Sequence, residues 1–282
     1  TGAAAWDVLY YIGQDKLYTG PPRLGTIYVD GPGYTLHSIN AWLSDKMLLN
    51  TGYKIFIEYY RDISLKSTHP LIVKLNARER IDGIDQLATE ILSVPEKVRI
   101  LLHDESRNIN IAPHEVGTGI SQVLPVVAAA IFLGDHLIAI EQPELHIHPA
   151  MQVKLGDLFI NRFKTAWSNR FLIETHSEYL LLRILRRIRE TNEGKPKILR
   201  TPDSSGYEKY EEKELDIRAE EVAVYYVESE NGSIQVNHIG LDENGRFIDR
   251  WPRGFFEERE KEYFGEEQDL SEEIGRLFNN DL

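Results

Sequence analysis

Two short apolar runs decide most of what this chain can fold into. Residues 137–149 read LIAIEQPELHIHP, and residues 170–180 read RFLIETHSEYL. Each run is too short for a helix, is continuous rather than alternating, and breaks off into polar residues. "HLIAI" (136–140) and "RFLIET" (170–175) therefore read as strands covered on both faces of a parallel sheet. Each is followed by helical spacing. "PAMQVKLGDLFINRF" puts Met151, Leu155, Leu158, Phe159 and Phe163 on one side, and "HSEYLLLRILRRI" opens with Ser177 as a natural N-cap. Upstream, "GTGISQVLPVVAAAIFLGD" is a Gly-containing turn opening an apolar helix, with Pro125 tolerable only near its first turn. Helix–strand–helix–strand–helix predicts an α/β layered sheet with right-handed crossovers.

The flanks are less regular. Residues 1–97 are mixed and β-rich, with turn signals in "TGPPRLG" and "DGPGY" and an alternating strand "YKIFIEYY" (53–60). "VRILLHDESRNINIAP" (98–113) predicts a hairpin. Residues 98–190 form the core lobe. Residues 191–220, with "TNEGKPK", "TPDSSG" and "EEKE", read as an exposed linker. In residues 221–282, "EVAVYYVES" and "GSIQVNHIGL" flank an "ENG" turn as a small β-hairpin appendage, and an acidic tail follows.

Composition narrows the chemistry. The 282 residues contain no Cys, which removes disulfides, thiolate metal sites and Cys nucleophiles and fits a reducing, cytoplasmic setting. No apolar run reaches membrane-spanning length, so no membrane partner is expected. A net charge of −13 disfavours nucleic acid as a partner unless basic residues are segregated on one face. The one dense basic run, "RILRRIRE", reads as a solvated helix face; DNA contact through Arg183, Arg186, Arg187 and Arg189 is the minority reading.

In open α/β sheets, ligands sit beyond the carboxyl ends of the strands. Glu141 ends the first run; Glu174, Thr175 and His176 end the second. A carboxylate there can hold Mg²⁺ beside phosphates, and a His on the neighbouring strand can bond a terminal phosphate and an attacking water. Either residue alone could simply be a polar strand end. Their ordered repetition, each before a helix, favours a site. His146 and His148 with Glu144 as a metal site, and Asp242, Glu243 and Asp249 as a nuclease cluster, are weaker; "LDENGR" is more simply a turn. Ser38, Ser121 or Ser177 as a hydrolase nucleophile lacks the G-x-S-x-G elbow. Trp251, Phe255 and Phe256 in "RWPRGFF" read as the core of the appendage before they read as a recognition patch.

Together, "VGTGISQVLPVV…LIAIEQPELHIHPAMQ…FLIETHSEYLLLRIL" resembles the C-terminal half of an ABC-type ATPase head, closest to the soluble AAA-family, OLD-like and SMC-like ATPases. The match is strong over residues 113–190 and weaker over 221–256, where "DENGRFIDRWPRGFF" is similar to a bacterial domain of uncharacterised role. The resemblance implies a P-loop NTPase fold of the ABC type, with ATP and Mg²⁺ as cofactors. Glu141 would be the Walker B acid on the Mg²⁺ side and His176 the γ-phosphate sensor. Gly117, Thr118, Gly119, Ser121 and Gln122 would stand where the signature motif offers helix N–H groups to a partner's nucleotide. That turn departs from the usual Leu-Ser-Gly-Gly pattern, so Thr118 and Ser121 both stay open as the hydroxyl donor. Glu144, Leu145 and His146 would face a second head. Gln142 occupies the place where many relatives carry the general base. An amide can orient water but cannot take its proton as a carboxylate does, so hydrolysis is slow or Glu144 supplies the base; the choice between these stays open.

The phosphate-binding sequence G-x-x-x-x-G-K-[ST] is absent from the 282 residues. The one Gly194–Lys195 pair is followed by Pro196. The expectation is a C-terminal lobe whose Walker A region lies outside this sequence, working as a homodimer or higher oligomer of heads that gates an effector protein or nucleic acid. Such architectures imply a setting in phage defence. The rival is a non-hydrolysing nucleotide sensor or scaffold subunit.

Overall fold

The computed structural model describes residues 31–62, 73, 76, 94–132, 136–164, 169–202, 210–230, 232–249 and 251. The "TGPPRLG" turn, Phe255, Phe256 and the acidic tail lie outside them. Two compact units are present, one drawn from Thr1–His176 and Leu199–Lys213, the other from Ser177–Ile198 and Glu214–Leu282.

The first unit opens with helix α1 (Gly31–Ser44). "DGPGY", expected as a turn, thus runs into a helix at Gly31. A three-stranded antiparallel sheet follows, ordered β1 (Tyr53–Tyr60), β2 (Lys97–Asp104) and β3 (Ile109–Ile111). The expected strand and hairpin are both present. The hairpin turn is built by Asp104, whose Oδ1 accepts from the N–H and hydroxyl of Ser106 and the N–H of Arg107. Those bonds hold its carboxyl below the usual carboxylate range. Asn40 joins helix to sheet: its amide donates to the Ile55 carbonyl at 3.1 Å and accepts from the Ile55 N–H at 2.6 Å.

Helix α2 (Thr118–Phe132), strand β4 (Leu137–Glu141), helix α3 (Pro149–Phe163) and strand β5 (Arg170–Glu174) then alternate as expected. β4 and β5 are parallel, with Glu141 opposite Glu174. This register is fixed at its other end by Asn169, which is fully buried. Its Oδ1 accepts from His136 N–H at 3.4 Å, while its Nδ2 donates to the Ala130 carbonyl at 3.0 Å. Buried Arg162 of α3 donates to the Ala130 and Ile131 carbonyls as well. Two of the orphan carbonyls at the end of α2 are thereby satisfied by α3 and by the residue preceding β5.

Two expectations fail here. Pro125 lies at the eighth of fifteen residues in α2, buried and well past the first turn. It removes one ladder bond, yet the helix continues because its apolar side is packed. The β4–β5 pair is covered on one face only. Ile138 is buried and Phe171 packs on Phe159 at 5.0 Å between ring centroids, whereas Leu137 and Leu172 are 70% and 63% exposed. Among the described residues the strands form four small sheets rather than one continuous layered sheet, within a mixed α/β fold. No helix among them is long and apolar enough to cross a membrane.

In the second unit, Ser177 caps helix α4 (Glu178–Asn192), its Oγ accepting from Leu180 N–H at 3.1 Å. The stretch expected as linker carries paired strands, β6 (Lys197–Pro202) and β7 (Tyr210–Leu215), most of whose residues belong to the first unit. Strands β8 (Val224–Glu230) and β9 (Ser233–Ile239) form the expected antiparallel hairpin, with Glu230 opposite Ser233. Tyr226 and Phe247 stack edge-on against Trp251.

Candidate functional site

Parallel pairing delivers the carboxyl ends of β4 and β5 to one place. Because Glu141 and Glu174 are register partners, their side chains leave the same face of the sheet, and both are exposed. The carboxylate of Glu141 and the imidazole of His176 make no hydrogen bond or ion pair among the described residues. Both remain available to a ligand.

The chain leaves β4 under constraint. Gln142 has φ +46°, a left-handed conformation uncommon for a residue with a side chain, and its N–H donates to the Glu174 carbonyl at 2.8 Å. His146 is left-handed too, at φ +61°. Such backbone costs on the order of 1 kcal/mol or more per residue and concentrates at functional turns. The turn closes through Leu145 N–H to Gln142 O and Ile147 N–H to Glu144 O. His148 then caps α3, its Nδ1 accepting from Ala150 N–H at 3.2 Å, with Pro149 in the first turn.

Both oxygens of Glu144 accept a hydrogen bond. Its Oε2 accepts from the Thr175 hydroxyl and its Oε1 from the His176 backbone N–H, both at 2.7 Å. With the Gln142–Glu174 bond, three hydrogen bonds stitch the 142–144 turn to the 174–176 turn. Gly119 completes the cluster: a β-carbon there would lie 2.7 Å from the His146 carbonyl oxygen, so the start of α2 approaches the loop only because position 119 has no side chain. Gly117, Thr118 and Gln122 are exposed at this helix start, while the Ser121 hydroxyl donates back to the Thr118 carbonyl at 2.9 Å. The geometry leaves Thr118 as the hydroxyl without an intrahelical role.

All the candidates, Glu141, Gln142, Glu144, His176 and the 117–122 turn, therefore lie on four neighbouring elements of one unit. Sequence reasoning gave no role to Thr175, whose signal was only a hydroxyl beside the His, or to Glu174, whose signal was the repeated Glu at two strand ends. The exposed carboxylate oxygens at the strand ends are hard donors of the kind Mg²⁺ takes. Among the described residues no group of three or more His, Asp or Glu could hold a metal ion. The rival clusters are turns. Asp242 Oδ1 accepts from Asn244 and Arg246 N–H, and Asp249 accepts from Gly240 N–H.

Comparison with known families gives two matches. A family model described as an AAA domain of the AbiEii toxin-like, type IV toxin–antitoxin kind matches residues 33–183, more than half of the chain. The model of a protein family of unknown function, DUF3696, matches residues 217–264. No curated protein matches the sequence. With Glu141, Glu144, His176 and the Gly-turn all inside the first span, the chain belongs to the AbiEii toxin-like AAA-domain family of ATPase-type heads.

Proposed function

We propose that this chain is the Walker B, D-loop and switch-histidine lobe of an ABC-type head that binds and hydrolyses ATP with Mg²⁺. The observation that carries the reading is the in-register parallel pairing of β4 and β5, which brings an unengaged carboxylate and the turn bearing an unengaged imidazole to adjacent strand ends. Bound Mg²⁺ would neutralise charge developing on the phosphoryl oxygens. Glu141 would hold that ion, directly or through water. His176 would donate to the terminal phosphate, and the Gln142 amide would orient the attacking water. The exposed start of α2, with Gly117, Thr118, Gly119, Ser121 and Gln122, would be offered to the nucleotide of a second head. Closure and opening of the two heads would gate an effector, in a phage-defence setting for which the toxin–antitoxin wording of the family description gives support.

The test is Mg²⁺-ATP hydrolysis by the protein that carries this chain together with a phosphate-binding loop. Glu141→Gln and His176→Ala should each lower kcat by about 10²-fold or more. Full activity in both would sink the assignment. A second reading, a nucleotide sensor that closes on ATP without turnover, draws on Gln142, which cannot act as a carboxylate base. It predicts ATP-dependent dimers by light scattering with no phosphate release, and Gln142→Glu should then raise turnover.

A further inference from the structure

We propose that Glu144 is a positioning residue which fixes the backbone that presents His176, and that it is not the general base. The proposal rests on the ATPase reading for its effect on rate, but the geometry behind it does not. Each carboxylate oxygen is already an acceptor, Oε2 from the Thr175 hydroxyl and Oε1 from the His176 N–H, at 2.7 Å in both cases. Each oxygen keeps a second lone pair, but a proton taken from water would weaken the carboxylate as an acceptor and so loosen both bonds that hold the turn. The side chains of Glu141 and His176, by contrast, make no hydrogen bond or ion pair among the described residues. A carboxylate that accepts from the backbone N–H of the residue carrying the imidazole, and from the hydroxyl beside it, sets where that imidazole sits. Gln142 adds to the grip through its bond to the Glu174 carbonyl at 2.8 Å.

The chemistry of the two donors separates this role from that of a base. In Glu144→Gln the amide oxygen can still accept from the His176 N–H, and the amide NH₂ can donate to the Thr175 hydroxyl, which reverses by rotating. In Glu144→Ala both bonds vanish. A base would lose its function in either variant. A positioning residue fails in the second and is largely restored in the first. Thr175→Val removes one donor, whereas Thr175→Ser keeps it.

The experiment measures steady-state ATP hydrolysis and backbone hydrogen exchange at His176 in the full-length protein. Glu144→Ala should lower kcat by about tenfold or more, with the ATP KM changed less than about threefold. Glu144→Gln should recover most of that loss, and Thr175→Ser should exceed Thr175→Val. Exchange of the His176 amide should be faster in Glu144→Ala than in wild type and near wild type in Glu144→Gln. A Glu144→Gln protein as inactive as Glu144→Ala, with its His176 amide still protected, would make Glu144 the base and overturn the proposal. So would Glu144→Ala with unchanged kcat and unchanged exchange. If wild type and His176→Ala hydrolyse ATP equally, the ATPase reading fails by itself, and amide exchange still decides whether Glu144 holds the turn.

Discussion

A methyl group added at Gly119 would meet a backbone carbonyl, that of His146, at 2.7 Å. Backbone cannot swing aside as the end of a long side chain can, so either the start of α2 or the 142–148 loop must move. Gly119→Ala should cost about 1–3 kcal/mol of stability by urea unfolding. Gly245 is held more tightly. Its φ is +66°, and a β-carbon would overlap the Leu185 carbonyl oxygen of α4 within the second unit. Strain and overlap add there, so Gly245→Ala should be the more destabilising, by roughly 3 kcal/mol or above. The reverse order of the two variants would mean that these contacts do not control stability. Glycine identity was plain in both places, but "GTGISQ" and "LDENGR" do not say which glycine has a neighbour. That depends on segments 27 and 60 residues away along the chain.

At the scale of the element, α4 shows how a pattern can be right about a helix and incomplete about its faces. "RILRRIRE" reads as a solvated basic face, yet Arg187 is only 2% exposed and is paired with Glu190. Burial pushes the Glu190 carboxyl up, but hydrogen bonds and charge from Arg187 and from Arg186, at 2.7 Å, outweigh it and hold the carboxyl below its ordinary range. A depressed carboxyl contributes stability that is present above the unfolded-state value, about 4.3, and is lost as pH falls through the lower folded value. In urea titrations from pH 7 to pH 3, the stability gap between wild type and Glu190→Gln should narrow toward the acid end; a gap independent of pH would remove Glu190 from the account. The strands were legible for a different reason. Continuous apolar runs with polar ends leave few alternatives, and they located Glu141 and His176 together. Their register was not legible, because it is set by Asn169, a polar residue whose partners are the carbonyl of Ala130 and the N–H of His136. Pro125 misled for the related reason that packing of a buried helix can override the loss of one bond.

For the whole molecule, charge limits what the basic run can do. Net charge is −13. Of the four arginines that might have formed a DNA-binding stripe, Arg187 is buried and Arg186 is engaged with Glu190. Phosphate binding depends on displacing counterions with several free cations on one face, and affinity then falls steeply with salt. Here the cations are partly consumed and the surrounding field is repulsive, screened only beyond about 8 Å at physiological ionic strength. Filter binding of duplex DNA should therefore show no retention at about 0.15 M salt. Arg189→Glu, which alters an exposed member of the run, should leave that result unchanged. Retention that weakens linearly in log salt and is lost in Arg189→Glu would instead make α4 a nucleic-acid contact, and it would move nucleic acid from an unsupported partner of this head to its direct ligand.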